Sequence, residues 1–587
     1  MTNKKRFLIT VADESTWKLD TAVLFLGHWC LLYERKHIWD ELDFSVGSIH
    51  GASSEIKNRD LLKSIELTDK LFPELVKILN KFHKTTHSEL YWKILVGHSF
   101  QTFLNILLNR INTYSAVIKP SSISGAKFYN LNDEDFTPKN TLDLDLNLVN
   151  SDIWNSTLDF KLLLFLDEIN FPFEIIEKNG VEEFSKSHQK INISKNKLSK
   201  QLMFNSIAKH FLRQNNSLIL STYLPKFKEI LLHLRFGQIP FFWNVDTYSN
   251  AEQVLNKTAR DNLVAEIQLK DKLETIILKF IVLYLPKIYI EGFSEMTKIV
   301  DKSNWPKNPK FIFTSNEFAY NEQFKFYTAF QREKGAVYFV GQHGNNYGTN
   351  KLVSPTIEES TSSKFLTWGW SHGDNFIPTF VLKTAGLKIR HNPKGKIVIM
   401  LLHQSARRVL WDAVSEFNVY INDQLNFLDN LKLPPSILLL RAHAASRYNP
   451  EGILEKYIIR NELASDNSTF EILEVYKRSR LLIFSYDSTG ILESLALNIP
   501  TLAFWQNGFD HLNDSAKIQY QKMVAVGIFH LSPESIAKTV NEIWDSVEYW
   551  WNQESIQIAR EEFCRHYARS SKKPISELHK ILKINSQ

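Results

Sequence analysis

Arg480-Leu-Leu-Ile-Phe-Ser-Tyr-Asp-Ser-Thr-Gly-Ile-Leu-Glu-Ser-Leu-Ala-Leu-Asn-Ile-Pro-Thr-Leu-Ala-Phe504 decides the reading of the chain. Leu481 to Phe484 is an apolar run of strand length, Ser485 to Gly490 is a cluster of hydroxyls and turn formers, and Ile491, Leu492, Leu495 and Ala496 recur at helical spacing. Pro500 ends that helix and Thr501 to Phe504 restarts a strand, so the unit reads as a βαβ crossover. A loop leaving the carboxyl end of a parallel strand and opening a helix is where an open α/β sheet binds its ligand, and the helix amino terminus favours an anion. Ser485 begins that loop, and Ser488, Thr489 and Gly490 read as a phosphate cradle. Asp487, Ser488 and Thr489 are also good N-caps, which every such unit needs. Glu493, one turn inside the helix, tilts the reading toward a ligand, because a carboxylate there can accept from ribose hydroxyls.

Around this stretch lie 587 residues, too many for one ordinary core, so two domains are expected. Hydrophobic residues make up 44% and charged residues 23%, the balance of a globular protein. The net charge of +6 comes from 70 basic and 64 acidic residues without long runs. That argues against a nucleic-acid partner and suits anionic ligands or an anionic membrane face, so a peripheral contact with the inner membrane fits. Cys30 and Cys564 cannot build a disulfide framework, and neither sits in a metal-ligand pair. The apolar run Phe7 to Ala12 is too short for a signal core, and Ile276 to Leu285 is broken by Lys279. A cytoplasmic protein is expected.

The α/β pattern extends along the chain. Phe7 to Ala12, Val23 to Leu26 and Phe44 to Ile49 read as strands, followed by helical patterns over Leu61 to Phe82, with a break or a new first turn expected at Pro73, and Ser88 to Tyr114. Leu142 to Leu148 alternates strictly and reads as an edge strand. On the same reading Asp143 and Asp145 mark its exposed face rather than a metal site. Helical patterns return at Asp159 to Leu166 and Ala251 to Leu283. Lys287 to Gly292, Phe311 to Ser315 and Ala336 to Val340 then read as strands of a Rossmann-like sheet. A boundary near His391 to Gly395 divides residues 1–390, a domain with helical insertions, from residues 391–587. The second domain alternates Ile397 to Leu402, Ile437 to Leu440 and Phe470 to Leu473 as strands. Long helical patterns over Ser532 to Asn552 and Ser555 to Ile584 close the chain.

Chemistry-bearing residues cluster after strands. Arg441 and His443 follow Ile437 to Leu440; an Arg fork matches phosphate oxygens, and His can donate to them, although a surface Arg and a loop His would leave the same trace. Gln342, His343 and Gly344 follow Ala336 to Val340, where His343 can act as general base or phosphate donor and Gly344 lets backbone approach a ligand; a Gly-rich turn with a satisfied histidine is the alternative. Asp13 and Glu14 end the first strand, with Trp17 close behind, where a carboxylate could act as general base or where both simply cap. Ser405, Arg407 and Arg408 occupy the loop after Ile397 to Leu402, suited to donor phosphate or to a solvated helix start. The choice of base between His343 and Glu14 stays open.

The stretch at 480–504 resembles the nucleotide-binding end of GT-B glycosyltransferases. With Phe7-Leu-Ile-Thr-Val-Ala-Asp-Glu-Ser-Thr-Trp17, Leu26-Gly-His-Trp-Cys-Leu-Leu-Tyr33 and Gln342-His-Gly-Asn-Asn-Tyr-Gly348, nearly the whole chain resembles a transferase family of leptospiral and other bacterial surface-polysaccharide loci. Arg441-Ala-His443 is similar to the His-Pro motif of sialyl-, Kdo- and CDP-glycerol transferases, with Ala444 in place of proline. The resemblance implies two Rossmann-like domains facing a cleft, residues 1–390 on the acceptor side, where Asp13 or Glu14 could deprotonate the acceptor and Trp17 carry a sugar, residues 391–587 binding the donor, and terminal helices that brace them. It implies transfer of a sugar or a nonulosonic or Kdo-like acid, without a metal, from a CMP- or CDP-type donor to a glycan or lipid-linked glycan acceptor. The nucleotide-activated sugar is then a substrate and no further cofactor is expected. A UDP-sugar 2-epimerase and a non-catalytic glycan-binding protein are the alternatives.

Overall fold

The computed structural model describes residues 5–32, 35–47, 53–118, 122–180, 213–240, 253–351, 355–402, 414–441, 464–466, 470–505 and 507–586. Among them the strands form three sheets, and every pairing within those sheets is parallel. The first sheet holds β1 (Arg6–Ile9), β2 (Val23–Phe25), β3 (Phe44–Val46), β4 (Ile123–Leu131) and β5 (Phe173–Lys178) in the order β3-β2-β1-β4-β5. The second runs in chain order through β6 (Leu218–Leu220), β7 (Phe311–Thr314), β8 (Val337–Gly341), β9 (Lys364–Thr367) and β10 (Phe376–Pro378). The third contains β11 (Lys396–Met400), β12 (Leu438–Arg441), β13 (Ala464–Asp466), β14 (Ser479–Phe484), β15 (Thr501–Phe504) and β16 (Phe529–His530), ordered β13-β12-β11-β14-β15-β16. That is the 3-2-1-4-5-6 order of a doubly wound sheet, whose direction reverses between β11 and β14.

The class is therefore α/β with parallel sheets. Among the described residues before 391, two separate sheets stand where a single Rossmann-like sheet was expected. Both faces of the second sheet are apolar, as a parallel sheet requires. Phe311, Phe313, Phe339 and Leu366 enter one core, while Ile312, Tyr338, Val340 and Phe365 enter the other.

Several local expectations are corrected. Leu142 to Leu148 lies in a helix, Thr141–Asn150, whose start Asn140 caps by accepting from Asp143 N. The alternating leucines also satisfy the helical period, and Leu144 and Leu148 bury together with Thr141 and Asn147. Asp143 and Asp145 lie on this helix, not on a wet sheet face; Asp143 accepts from Lys139 N at 2.8 Å and Asp145 from Tyr320 OH at 2.7 Å. Lys287 to Gly292 begins with a 3-10 turn, Lys287–Tyr289, in which the buried Lys287 ammonium reaches Glu134. Phe470 to Leu473 leads into a helix, Ile472–Arg478, and the neighbouring strand is β13. Pro73 does not break Ser54–His83: the proline removes one donor, but Leu67, Leu71, Leu75 and Leu79 line a buried face and Phe72 packs edge-on against Phe100 at 5.1 Å.

The two terminal helices pack on different layers. Glu554–Tyr567 lies against Thr489–Ala496 and Asp514–Ala525 beside the third sheet, whereas Pro574–Ile584 lies against Lys226–Arg235 beside the second. Between them the chain is pinned, with Arg569 N donating to Trp368 O and Val381 N to Arg569 O, both at 2.9 Å. None of the helices among the described residues is long and apolar enough to cross a membrane.

Candidate functional site

β14 ends at the reversal point of the third sheet, and the loop it releases opens the helix Thr489–Ala496. Ser485 is fully buried and holds this junction together: its hydroxyl donates to Met400 O at the end of β11 (3.0 Å) and meets Tyr420 OH at 2.7 Å. Gly490 is fixed by packing, since a Cβ there would lie 2.4 Å from Phe484 Cε1. Ser488 stands at the N-cap without capping; its side chain accepts from none of the first helical N–H groups. Only 5% of it is exposed, and its buried Oγ makes no hydrogen bond of good geometry among the described residues, with the Tyr486 phenol beside it.

What closes over this loop comes from the second sheet. β8 runs into Gln342-His343-Gly344-Asn345, and Asn345 N donates to Thr489 Oγ1 at 3.0 Å while Asn345 Nδ2 donates to Asp487 Oδ1 at 2.8 Å. A Cβ at Gly344 would stand 3.1 Å from Thr489 Oγ1, so glycine allows the approach. Asp487 also meets His511 Nε2 at 3.0 Å and Tyr520 OH at 3.1 Å, which makes this carboxylate the hub of the junction. Gln342 scaffolds the turn rather than facing a ligand: its Nε2 donates to Gly344 O, and its Oε1 accepts from Trp368 N and Trp370 Nε1, each at 2.9 Å. Residues 342–345 and 487–489 thus form one site from two sheets.

His343 sits in an aromatic cage of Tyr223, Phe318 and Tyr347, with ring centroids 6.1, 5.6 and 5.3 Å away. Burial pushes its pKa down to about 4, so the ring is neutral at pH 7. Tyr223 belongs to the turn after β6, where Ser221 and Tyr223 both adopt positive φ (50° and 63°), an unusual backbone for residues with side chains. Glu493 is 2% exposed; Lys383 Nζ donates to its Oε1 at 2.9 Å and Tyr476 OH to its Oε2 at 3.2 Å. Each oxygen keeps a second lone pair. Arg441 ends β12 and donates from Nη2 to Phe470 O at 2.8 Å. His443, Ser405, Arg407 and Arg408 lie outside the described residues.

The first-strand cluster belongs to a different sheet and is engaged locally. Asp13 caps the 3-10 turn Glu14–Thr16, accepting from Ser15 N (3.0 Å) and from Tyr129 OH (2.7 Å). Glu14 is held in a fork by Arg35, from Nε at 2.5 Å and Nη2 at 2.6 Å. Trp17, read as a sugar platform, is a core residue: it is 7% exposed, its indole N–H donates to Val11 O, and it packs edge-on against Phe25 at 5.1 Å. Sequence reasoning gave no role to Asn345, Tyr347, Glu358, Lys383, Tyr476 or His511. Asn345 and Tyr347 stood inside a quoted motif; the others carry no local signal.

The family described as LIC12162 family transferase matches residues 6–582. This chain belongs to that family. No curated protein matches it. Among solved structures, this LIC12162 family transferase is similar to the wall teichoic acid polymerase TagF, at TM-score 0.33 and 12% identity over 68% of this chain and 96% of that one. It is also similar to MurG of Acinetobacter baumannii, at TM-score 0.29 and 12% identity over 51% and 78% of the two chains, and to TarM, at TM-score 0.29 and 13% identity over 51% and 59%.

Proposed function

We propose that this LIC12162 family transferase is a GT-B-type glycosyltransferase that moves a sugar, or a nonulosonic or Kdo-like acid, from a CMP- or CDP-type donor to a bacterial surface-glycan acceptor. The observation that carries this reading is the placement of the Ser488 loop: a buried hydroxyl at the amino end of Thr489–Ala496, set at the reversal point of a doubly wound sheet and covered by the His343 loop. In this reading the helix N–H groups, Ser488 and Arg441 hold donor phosphate, joined by His443 and Ser405, and the remaining lone pairs of Glu493 accept from ribose hydroxyls. His343 Nε2 takes the proton of the acceptor hydroxyl. The acceptor oxygen bonds to the anomeric carbon as the bond from that carbon to the nucleotide phosphate breaks, and the released electron pair stays on the phosphate oxygen. Helix dipole and donors stabilise the charge developing there. We favour His343 over Glu14 as base because Arg35 already occupies both oxygens of Glu14.

A peripheral contact with an anionic membrane face belongs to the same proposal. Supporting it, Phe227 and Leu234 are 66% and 55% exposed on the helix Lys226–Arg235, between the exposed Lys226 and Arg235. The test of the donor is a thermal-shift panel of CMP, CDP, UDP and GDP, in which a nucleotide at a hundredfold its Kd stabilises by about 2.7 kcal/mol. CMP or CDP should shift the protein most. Stabilisation by UDP alone would turn the reading toward the epimerase, and no shift with any nucleotide would remove the donor site.

A further inference from the structure

Tyr347 stands between His343 and a buried carboxylate. Its hydroxyl donates to Glu358 Oε1, and the same oxygen lies 3.2 Å from His343 Nδ1. Glu358 is 5% exposed in the first turn of Ile357–Thr361, beside the capping box of Thr356 and Glu359. A phenol has one proton. Because that proton is directed at a carboxylate, Tyr347 can meet His343 only as an acceptor, so Nδ1 must carry the ring proton. The neutral imidazole then has its lone pair on Nε2.

We infer that Tyr347 and Glu358 are positioning residues that hold His343 in the Nδ1–H tautomer, leaving Nε2 as the base for the acceptor hydroxyl. The inference rests on the reading of His343 as that base. When Nε2 accepts the acceptor's proton the ring becomes a cation, and the chain Nδ1–H to Tyr347 to Glu358 connects it to a negative charge. The site therefore supplies within the chain what a solvent shell would supply outside it.

Burial holds the partners of Glu358 uncharged at pH 7. Burial raises the Glu358 carboxyl above its usual range, opposed by hydrogen bonds from Tyr347, Thr356 and its own backbone N–H. Burial and the carboxylate push the Tyr347 phenol far up, so it keeps its proton. His98 Nε2 stands 3.9 Å from Glu358 Oε2, and burial pushes His98 down to about 3, which leaves it uncharged. Glu359, Tyr320 and Tyr338 also lie within electrostatic reach of Glu358, and no Lys or Arg forms an ion pair with it among the described residues.

The test uses the full chain labelled with 15N-histidine, with Tyr347→Phe and Glu358→Gln as variants. Nitrogen spectra at pH 7 should show His343 as the Nδ1–H tautomer in the parent, and Tyr347→Phe should shift it toward Nε2–H. With a working donor and acceptor, Tyr347→Phe should lower kcat by about ten- to a hundredfold while donor affinity and KM change less than about twofold. The acid limb of the rate should move to lower pH in both variants, because each removes stabilisation of the ring cation. Glu358→Gln, whose amide oxygen can still accept from Tyr347, should show the smaller loss. A merely structural tyrosine would lower melting temperature without moving tautomer or acid limb. An Nε2–H tautomer in the parent, or parental kcat and acid limb in Tyr347→Phe, overturns the inference. Full activity in His343→Ala instead overturns the reading of the base, while the spectrum still decides the tautomer.

Discussion

Asn345 and Thr489, 144 positions apart, share a hydrogen bond of 3.0 Å that joins the turn after β8 to the turn after β14. Asp487 adds three more partners to the same seam: Asn345, His511 and Tyr520. Replacing Asp487 by Ala leaves all three groups without that acceptor. Each buried group left unsatisfied costs about 1–3 kcal/mol, so Asp487→Ala should lower the unfolding free energy by roughly 2 kcal/mol or more. Chemical denaturation measures this, and a loss below about 0.5 kcal/mol would mean that the seam is wet in solution.

Glu493 has two separable duties in this reading, one toward Lys383 and Tyr476 and one toward a bound ribose. Glu493→Gln keeps an acceptor for Tyr476 but removes the charge that Lys383 faces. Nucleotide affinity should fall by about tenfold, with a smaller loss of stability than Glu493→Ala. Calorimetry showing unchanged affinity in both variants would leave the residue with packing alone.

His343 and Glu14 compete for the role of base. His343→Ala should lower turnover by roughly a hundredfold or more with nucleotide affinity little changed, because a general base acts chiefly in the transition state. His443→Ala should weaken donor binding and turnover together. If Glu14→Ala abolishes turnover at intact donor affinity while His343→Ala does not, the proton goes to Glu14, and the fork with Arg35 must open during the reaction.

Acid should weaken the fold through its histidines. Burial pushes His83, His233, His343 and His530 down to about 4 and His98 to about 3, against 6.5 in the unfolded chain. Below pH 6.5 the unfolded chain takes up protons that the folded chain refuses, so the stability present above that pH declines as pH falls toward 4. Asp159, pushed up to about 6 by burial, acts in the opposite sense. Melting temperature followed from pH 7.5 to 4.5 should drop, and His98→Asn should flatten the slope by up to about 1.4 kcal/mol per pH unit.

Flotation with vesicles tests the membrane contact. Binding to phosphatidylglycerol vesicles should exceed binding to zwitterionic ones, and Phe227→Ser with Leu234→Ser should reduce it several-fold without changing melting temperature, since both side chains are exposed. Equal binding by parent and double variant would place the contact elsewhere.

Sequence periodicity identified most of the strands because parallel strands are short apolar runs bounded by polar turns. It failed where two periods coincide. Leu144 and Leu148 are two steps apart on a strand lattice and one turn apart on a helix, and the Asn140 cap decides between them. It also missed β4 and β6, which join the first and the second sheet, and so did not separate the two; strand partnership is a long-range property that local sequence does not name. The segments 485–490 and 342–345 were both legible as loops that follow strands, although N-caps and a Gly-rich turn leave the same trace as a ligand site. Their contact was not. Trp17 shows the opposite limit, because an indole at a strand end looks the same whether it faces a sugar or, as here, Phe25.

The last helix, Pro574–Ile584, places Ile575, Leu578 and Leu582 in the same core as Ile219, Phe311, Phe339 and Leu382. A ribosome has therefore made the whole second sheet long before the residues that seal one of its faces emerge. Until then Phe311, Phe313 and Phe339 lie beneath an incomplete cover, and the nascent chain presents an aromatic surface that a chaperone would recognise and another copy could bind. This layer matures out of sequence order, after the third sheet has been synthesised, so a stalled or prematurely ended chain loses the middle of the protein first.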